Sequence, residues 1–261
     1  MLRAKGCLVR YVSPPRLILL AILHCAFAIA AGAQVNVGTT DEDPNLCSGL
    51  TTVQQCLVLH HIALTKDALL SALHSQDTRI KILAAEGLAV EDVKDAIPDL
   101  TELLEAGSEP NVRMILAQSL ARLGDGRGVE ILRSYCNDAS VSISDRLTAA
   151  STLLDFQPKS CPETLVAGLQ SDIWEFRVVA LGMIPNFKQL TPGQTAQVRA
   201  ILLRSLFDQA VIVRKQAAVT MWELGDKSFI PALQAALGKE AEPIARHAME
   251  YSLKRLQSPG P

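Results

Sequence analysis

The sequence predicts an all-α solenoid of about six helical hairpins, and three observations predict it. An arginine recurs near the start of successive apolar-striped stretches, at Arg79, Arg113, Arg146, Arg177, Arg214 and Arg246, in steps of 34, 33, 31, 37 and 32 residues. A small residue follows about one turn later at Ala117, Ala150 and Ala218, and slightly earlier at Ala180 and Ala248, where a neighbouring helix must come close. The stretch then ends in Leu123-Gly124-Asp125 or Leu224-Gly225-Asp226, and a second apolar helix opens at Ile97-Pro98-Asp99-Leu100 or Ile230-Pro231-Ala232-Leu233. Self-similarity at this period marks a stack of units that bury their apolar faces against one another.

Residues 109 to 124 show the first helix of a unit most clearly. Val112, Leu116, Leu120 and Leu123 fall at i, i+4, i+8 and i+11, an apolar stripe along a 3.6-residue helix. Pro110 opens the helix where its missing amide hydrogen costs nothing, and Gly124 closes it where a left-handed residue is needed. The register Val-Arg, alanine, Leu-Gly-Asp, Ile-Pro-x-Leu resembles the short HEAT-like repeats of the type found in phycobilin lyase subunits, over roughly residues 45 to 257. The resemblance implies a right-handed α-solenoid, a superhelix whose second helices line the concave face. It is specific for architecture and not for activity, because one repeat serves many unrelated roles.

The first 33 residues read as a secretory signal. Arg3, Lys5, Arg10 and Arg16 make a basic start, Leu17 to Ala30 is an apolar run, and Ala31-Gly32-Ala33 supplies small residues for cleavage before Gln34. The run is short of the ~20 apolar residues that a spanning helix needs, and His24 before Cys25 does not suit a lipoprotein site. Residues 34 to 44 are a polar linker, 45 to 257 the repeat array, and 258 to 261 a frayed tail. The expected location is exported, periplasmic or extracellular.

Without the leader, 25 basic residues less 4 leave 21 against 27 acidic, a mature charge near -6. That balance lacks the basic footprint of nucleic-acid binding. An aromatic share of 4% argues against a cage for sugars or bases and suits Leu/Ala-rich helix packing. The helix after Cys47 is expected to run from about Thr51 to Leu64. In an exported chain Cys47, folded back outside that helix, is expected to pair with Cys56 as a disulfide. Cys136 and Cys161 are expected to be two buried thiols, because a first helix about 20 Å long runs between them and would hold them at opposite ends of the stack.

The unit with Arg177 departs from the pattern, its first helix stopping at Ile184-Pro185-Asn186 before a longer loop to Thr191-Pro192, where threonine caps and proline opens the next helix. The loop reads as a tolerated surface insertion. Pro243 to Leu256 is expected to be a terminal first helix that caps the array.

The arginine series reads as a structural ladder in which each arginine reaches an acid or a carbonyl of an adjacent hairpin. Glu91, Asp92, Asp95, Asp99, Glu102, Glu105 and Glu109 form an acidic strip containing one cation, Lys94, with Arg127 and Arg133 as candidate neutralisers from the next unit. Two functional alternatives attach to that strip, docking of a basic partner and a weak calcium site. His60, His61, His74 and His247 show no i, i+4 pair and no His-Glu dipeptide, which departs from the di-iron deoxyhypusine hydroxylases, HEAT-like enzymes built on His-Glu motifs. Nucleophile elbow, phosphate-binding glycine loop and zinc spacing are likewise not found.

The sequence therefore points to an exported, non-enzymatic scaffold or adaptor that binds another protein, with no catalytic, cofactor or metal residues assigned. Its candidate contact residues are the polar positions of the second helices, Asp99, Glu102, Glu130, Arg133, Gln194 and Gln234. Two alternatives stand beside it: a lyase-type enzyme or chromophore-handling protein, which would gather perturbed ionisable groups in a single repeat, and a self-associating structural component of the envelope.

Overall fold

A computed structural model describes residues 52–157, 160–187 and 190–258. The stretches read as a signal and a linker lie outside the described residues together with Cys47, and so does the expected Cys47–Cys56 pairing. The described residues form thirteen α-helices and no strand: α1 Val53–Leu59, α2 Lys66–Leu73, α3 Thr78–Val90, α4 Ile97–Glu105, α5 Pro110–Arg122, α6 Gly126–Asn137, α7 Ile143–Leu154, α8 Pro162–Leu169, α9 Trp174–Met183, α10 Pro192–Ser205, α11 Val211–Glu223, α12 Ile230–Leu237 and α13 Pro243–Gln257. Odd-numbered helices are the first helices of six hairpins, and α13 closes the array without a second helix.

The first helices form a continuous row, α1 on α3, α3 on α5, and so on to α11 on α13, and each second helix lies against the first helix that follows it. This position explains why a first helix is more than amphipathic. In α5 the six consecutive residues Leu116 to Ala121 are all buried, and the same holds for Ala84 to Ala89 in α3 and Val178 to Met183 in α9. Val112, Leu116, Leu120 and Leu123, the stripe read from the sequence, face the core of the N-terminal units; Met114, Ala117 and Ala121 face the core that continues to Leu256. Leu120 and Leu132 are fully buried, each contributing roughly 2 kcal/mol.

The Leu-Gly-Asp signal acts through three residues in turn. Leu123 is buried, Gly124 takes φ +90°, and the Asp125 N–H bonds back to the Leu120 carbonyl at 2.8 Å. Asp125 then caps α6, its carboxylate accepting from the Arg127 N–H at 2.9 Å. Three residues after Asp125, Gly128 lets α6 meet α5, since a Cβ there would stand 2.3 Å from the Ala117 carbonyl oxygen. The α3 to α4 turn does the same with Asp92 at φ +52° in place of glycine. A short 3-10 turn, Lys94–Ala96 or Lys227–Phe229, then leads into each Ile-Pro helix.

Three expectations need correction. The first helical segment is shorter than Thr51 to Leu64: α1 ends at Leu59, and His61 takes φ +57° before the chain turns into α2. Arg133 does not neutralise the acidic strip; its guanidinium donates to Gln157 Oε1 at 2.7 Å. Cys136 and Cys161 are not two thiols: they are disulfide-bonded, with Cα atoms 6.0 Å apart. A first helix does run between them, but the connection that follows it covers the distance back. It is seven residues, 155 to 161, enough to reach about 23 Å when extended. Gln157 sits against Arg133 of α6, a turn closes from the Ser160 N–H to the Gln157 carbonyl at 3.0 Å, and the Thr164 hydroxyl donates to the Cys136 carbonyl at 2.6 Å. The start of α8 is thus brought back to the end of α6.

Candidate interaction surface

The arginine ladder is present in part: Arg113, Arg177, Arg214 and Arg246 reach an acid or a carbonyl outside their own helix, whereas Arg79 and Arg146 do not. Arg177 extends a two-pronged grip to Asp208 of the next unit, Nε to Oδ2 at 2.9 Å and Nη2 to Oδ1 at 2.8 Å, while Nη1 donates to the Ser171 and Asp172 carbonyls at 2.8 and 3.0 Å. Arg214 repeats the arrangement on Glu240 at 2.6 and 2.9 Å and on the Asp208 and Gln209 carbonyls at 2.8 and 3.1 Å. Arg246 reaches the Glu240 carbonyl at 3.2 Å, and Arg113 the Leu104 carbonyl at 3.5 Å. Arg79 instead grips Asp77, the cap of its own helix. Pairs this sheltered fix the register between units. The Arg214 hydrogen bond holds the Glu240 carboxyl below its ordinary range and raises the guanidinium in return.

Buried polar side chains add a second set of ties that sequence reading missed. Gln118 of α5 donates to the Thr152 hydroxyl of α7 at 2.8 Å, and the Thr220 hydroxyl of α11 donates to the Leu181 carbonyl of α9 at 3.0 Å. Both join neighbouring first helices. A polar residue inside an otherwise apolar buried run was the available signal.

The six candidate contact residues fall on four second helices and differ in how exposed they are. Glu102, Glu130, Arg133 and Gln234 are exposed, whereas Asp99 and Gln194 are half-buried. Asp99 Oδ1 stands 3.6 Å from Nε2 of His74, the residue that follows α2. Gln194 completes a capping box, its Oε1 accepting from the Thr191 N–H at 3.0 Å while its N–H donates to the Thr191 hydroxyl at 3.2 Å. Arg133 ties α6 to the α7 to α8 connection. Glu102 borders an open groove between α4 and α6, whose other walls are Ile97, Pro98, Thr101, Glu105, Ala106 and Arg127.

The acidic strip is partly neutralised from the preceding unit. Lys66 of α2 donates to Asp95 Oδ2 at 2.6 Å, and that bond lowers the Asp95 carboxyl. Arg127 is held first by Asp125, with the charge of Glu105 nearby adding to its basicity. No three His, Cys, Asp or Glu side chains among the described residues are placed to hold a metal ion. No described helix is long and apolar enough to cross a membrane. In the longer loop after α9, Phe187 and Leu190 pack against the core.

Comparison with known proteins follows the same lines. Residues 67–153 match the family model for HEAT repeats. No curated protein matches the chain. Among solved structures it is similar to an engineered protein from the Northeast Structural Genomics Consortium, 17% identical over 72% of this chain and 97% of that one, with TM-score 0.45. It is also similar to the complex of CpcE and CpcF of phycocyanin lyase from Nostoc sp. PCC7120, at 15% identity over 84% and 100% of the two chains and TM-score 0.40. Human deoxyhypusine hydroxylase in complex with glycerol shares 18% identity over 94% and 86%, with TM-score 0.33. Residues 67–153 thus match HEAT repeats, and they lie within a hairpin array that runs from Val53 to Gln257.

Proposed function

We propose that the protein is an exported, non-enzymatic scaffold that binds another protein along the second helices of its array. The observation that supports this reading is the dispersal of exposed polar side chains, Glu102, Glu130, Arg133 and Gln234, over two successive second helices, α4 and α6, and a distant third, α12. Ionisable groups with displaced proton affinity are dispersed too, and their neighbours are the caps and rungs of the fold, Asp125 with Arg127, Arg214 with Glu240, and Asp226 with Ser228. An enzyme site would gather such groups in one place. Export is supported by the basic start and apolar run of the sequence and by the buried Cys136–Cys161 disulfide, a bond that persists in oxidising compartments.

Co-precipitation from the native exported fraction with a variant series tests the binding mode. Asp99→Asn with Glu102→Gln, Glu130→Gln and Gln234→Ala should each weaken capture of the same partner by a few-fold, with the effects adding. Complete loss from one of them with no effect of the others would point to a single concentrated site and against the dispersed surface.

A further inference from the structure

Ser171, Asp208 and Glu240 occupy one and the same place in three successive units. Each uses a side-chain oxygen to accept the N–H two residues on, from Ile173 at 3.2 Å, Ala210 at 2.9 Å and Glu242 at 3.0 Å. Each offers its carbonyl to the arginine six residues on, Arg177 at 2.8 Å, Arg214 at 2.8 Å and Arg246 at 3.2 Å. Asp208 and Glu240 also receive the two-pronged grip of the arginine one unit earlier. At Ser171 the acid is replaced by a short, uncharged side chain, and the arginine one unit earlier is Arg146.

Among the described residues Arg146 has no carboxylate in its grip. Among the described residues its guanidinium makes no hydrogen bond, and its Nε is buried from water. A sheltered donor with no acceptor is costly to leave so. Asp138 feels the Arg146 charge, but its carboxylate already accepts from the Ser140 N–H and hydroxyl at 2.8 and 2.6 Å. Arg113, one unit before, has the Leu104 carbonyl and no acid. The C-terminal rungs therefore carry their own carboxylates, and the central ones do not.

We propose that Arg146 is a recognition arginine that takes a carboxylate from an acidic side chain of a protein partner, in the place where Arg177 and Arg214 take one from the array itself. The class of ligand is given by the occupants of the two equivalent rungs, both carboxylates held by a planar fork that matches them in two hydrogen bonds. The partner is the one that the scaffold reading requires; the site stands without it.

The test is arginine-selective NMR of the Nε–Hε signals of the full chain, titrated with sodium acetate against sodium chloride at matched ionic strength. The Arg146 signal, assigned by its loss in Arg146→Gln, should move and saturate with acetate, while those of Arg177 and Arg214 stay. Ser171→Asp, which supplies the acid from within, should weaken the acetate response about tenfold, with Ser171→Glu as the second variant should that chain not fold. An Arg146 signal that moves no more than that of exposed Arg204, or a response unchanged by both serine variants, would overturn the site. Equal capture of partners by the native chain and Arg146→Gln would overturn its role in recognition and leave the scaffold standing. Capture of no partner by either chain would defeat the scaffold reading, and the acetate titration would still decide Arg146.

Discussion

Arg214 and Glu240 meet through two hydrogen bonds of 2.6 and 2.9 Å, with the Glu240 side chain only 4% exposed and that of Arg214 16%. The same guanidinium holds the carbonyls that end the preceding turn, so one side chain ties three successive segments. Glu240→Gln leaves that arginine sheltered and uncompensated. The expected loss is about 3 kcal/mol in urea unfolding, against less than about 0.5 kcal/mol for Glu130→Gln on the exposed face of α6. Equal effects of the two would show that the pair does not set the register.

The same rung has a pH signature. Glu240 titrates below its ordinary 4.5 in the folded chain because of the Arg214 bond, so the folded state releases this proton more readily than the unfolded state. Its contribution is complete above the unfolded value and is lost as pH falls through the folded one. The stability difference between the native chain and Glu240→Gln should therefore be flat above about pH 5 and shrink at lower pH. A difference that grows in acid would contradict the assignment.

The disulfide closes a loop of 25 residues and should contribute about 3.5 kcal/mol by restricting the unfolded chain. Unfolding with and without reductant, compared with a Cys136→Ala/Cys161→Ala double variant, measures it. Without reductant the native chain should exceed the double variant by about that amount, and with reductant the two should unfold alike.

Two glycines separate packing from propensity. A Cβ on Gly128 would meet backbone, the Ala117 carbonyl oxygen at 2.3 Å and the Ala121 nitrogen at 2.5 Å, whereas one on Gly193 would meet nothing within 4 Å. Gly128→Ala should cost about 3 kcal/mol by forcing α5 and α6 apart. Gly193→Ala, in the first turn of α10, should raise stability by roughly 0.5 kcal/mol. Thermal melts of the two variants should move in opposite directions.

How much of this was legible in the sequence depends on whether the signal was local. The Pro110 start and the Gly124 stop are decided within a few residues, and both stand where the pattern puts them. The arginine ladder was legible because it repeats. The break of α1 at His60-His61 was not, since no glycine or proline announces the left-handed residue there. The Cys136–Cys161 bond was misread because it depends on where a seven-residue connection travels, and no motif encodes that path. Arg146 looks the same as Arg177 in its own helix; what sets it apart is Ser171, 25 positions on, and the difference appears only when the units are superposed by their hydrogen bonds. Of the proposed contact surface, sequence placed Gln194 there on polarity alone, yet the cap of α10 already engages its side chain.

The central claim is that one partner is held along several units. Crosslinking of the full chain in its native exported fraction, read by mass spectrometry, tests it most directly. The account predicts a stoichiometric protein partner crosslinked to at least three of the hairpins between α3 and α12, with the sites lying on the second helices. Crosslinks confined to one hairpin, or a purified chain that brings down a bound small molecule and no protein, would contradict it.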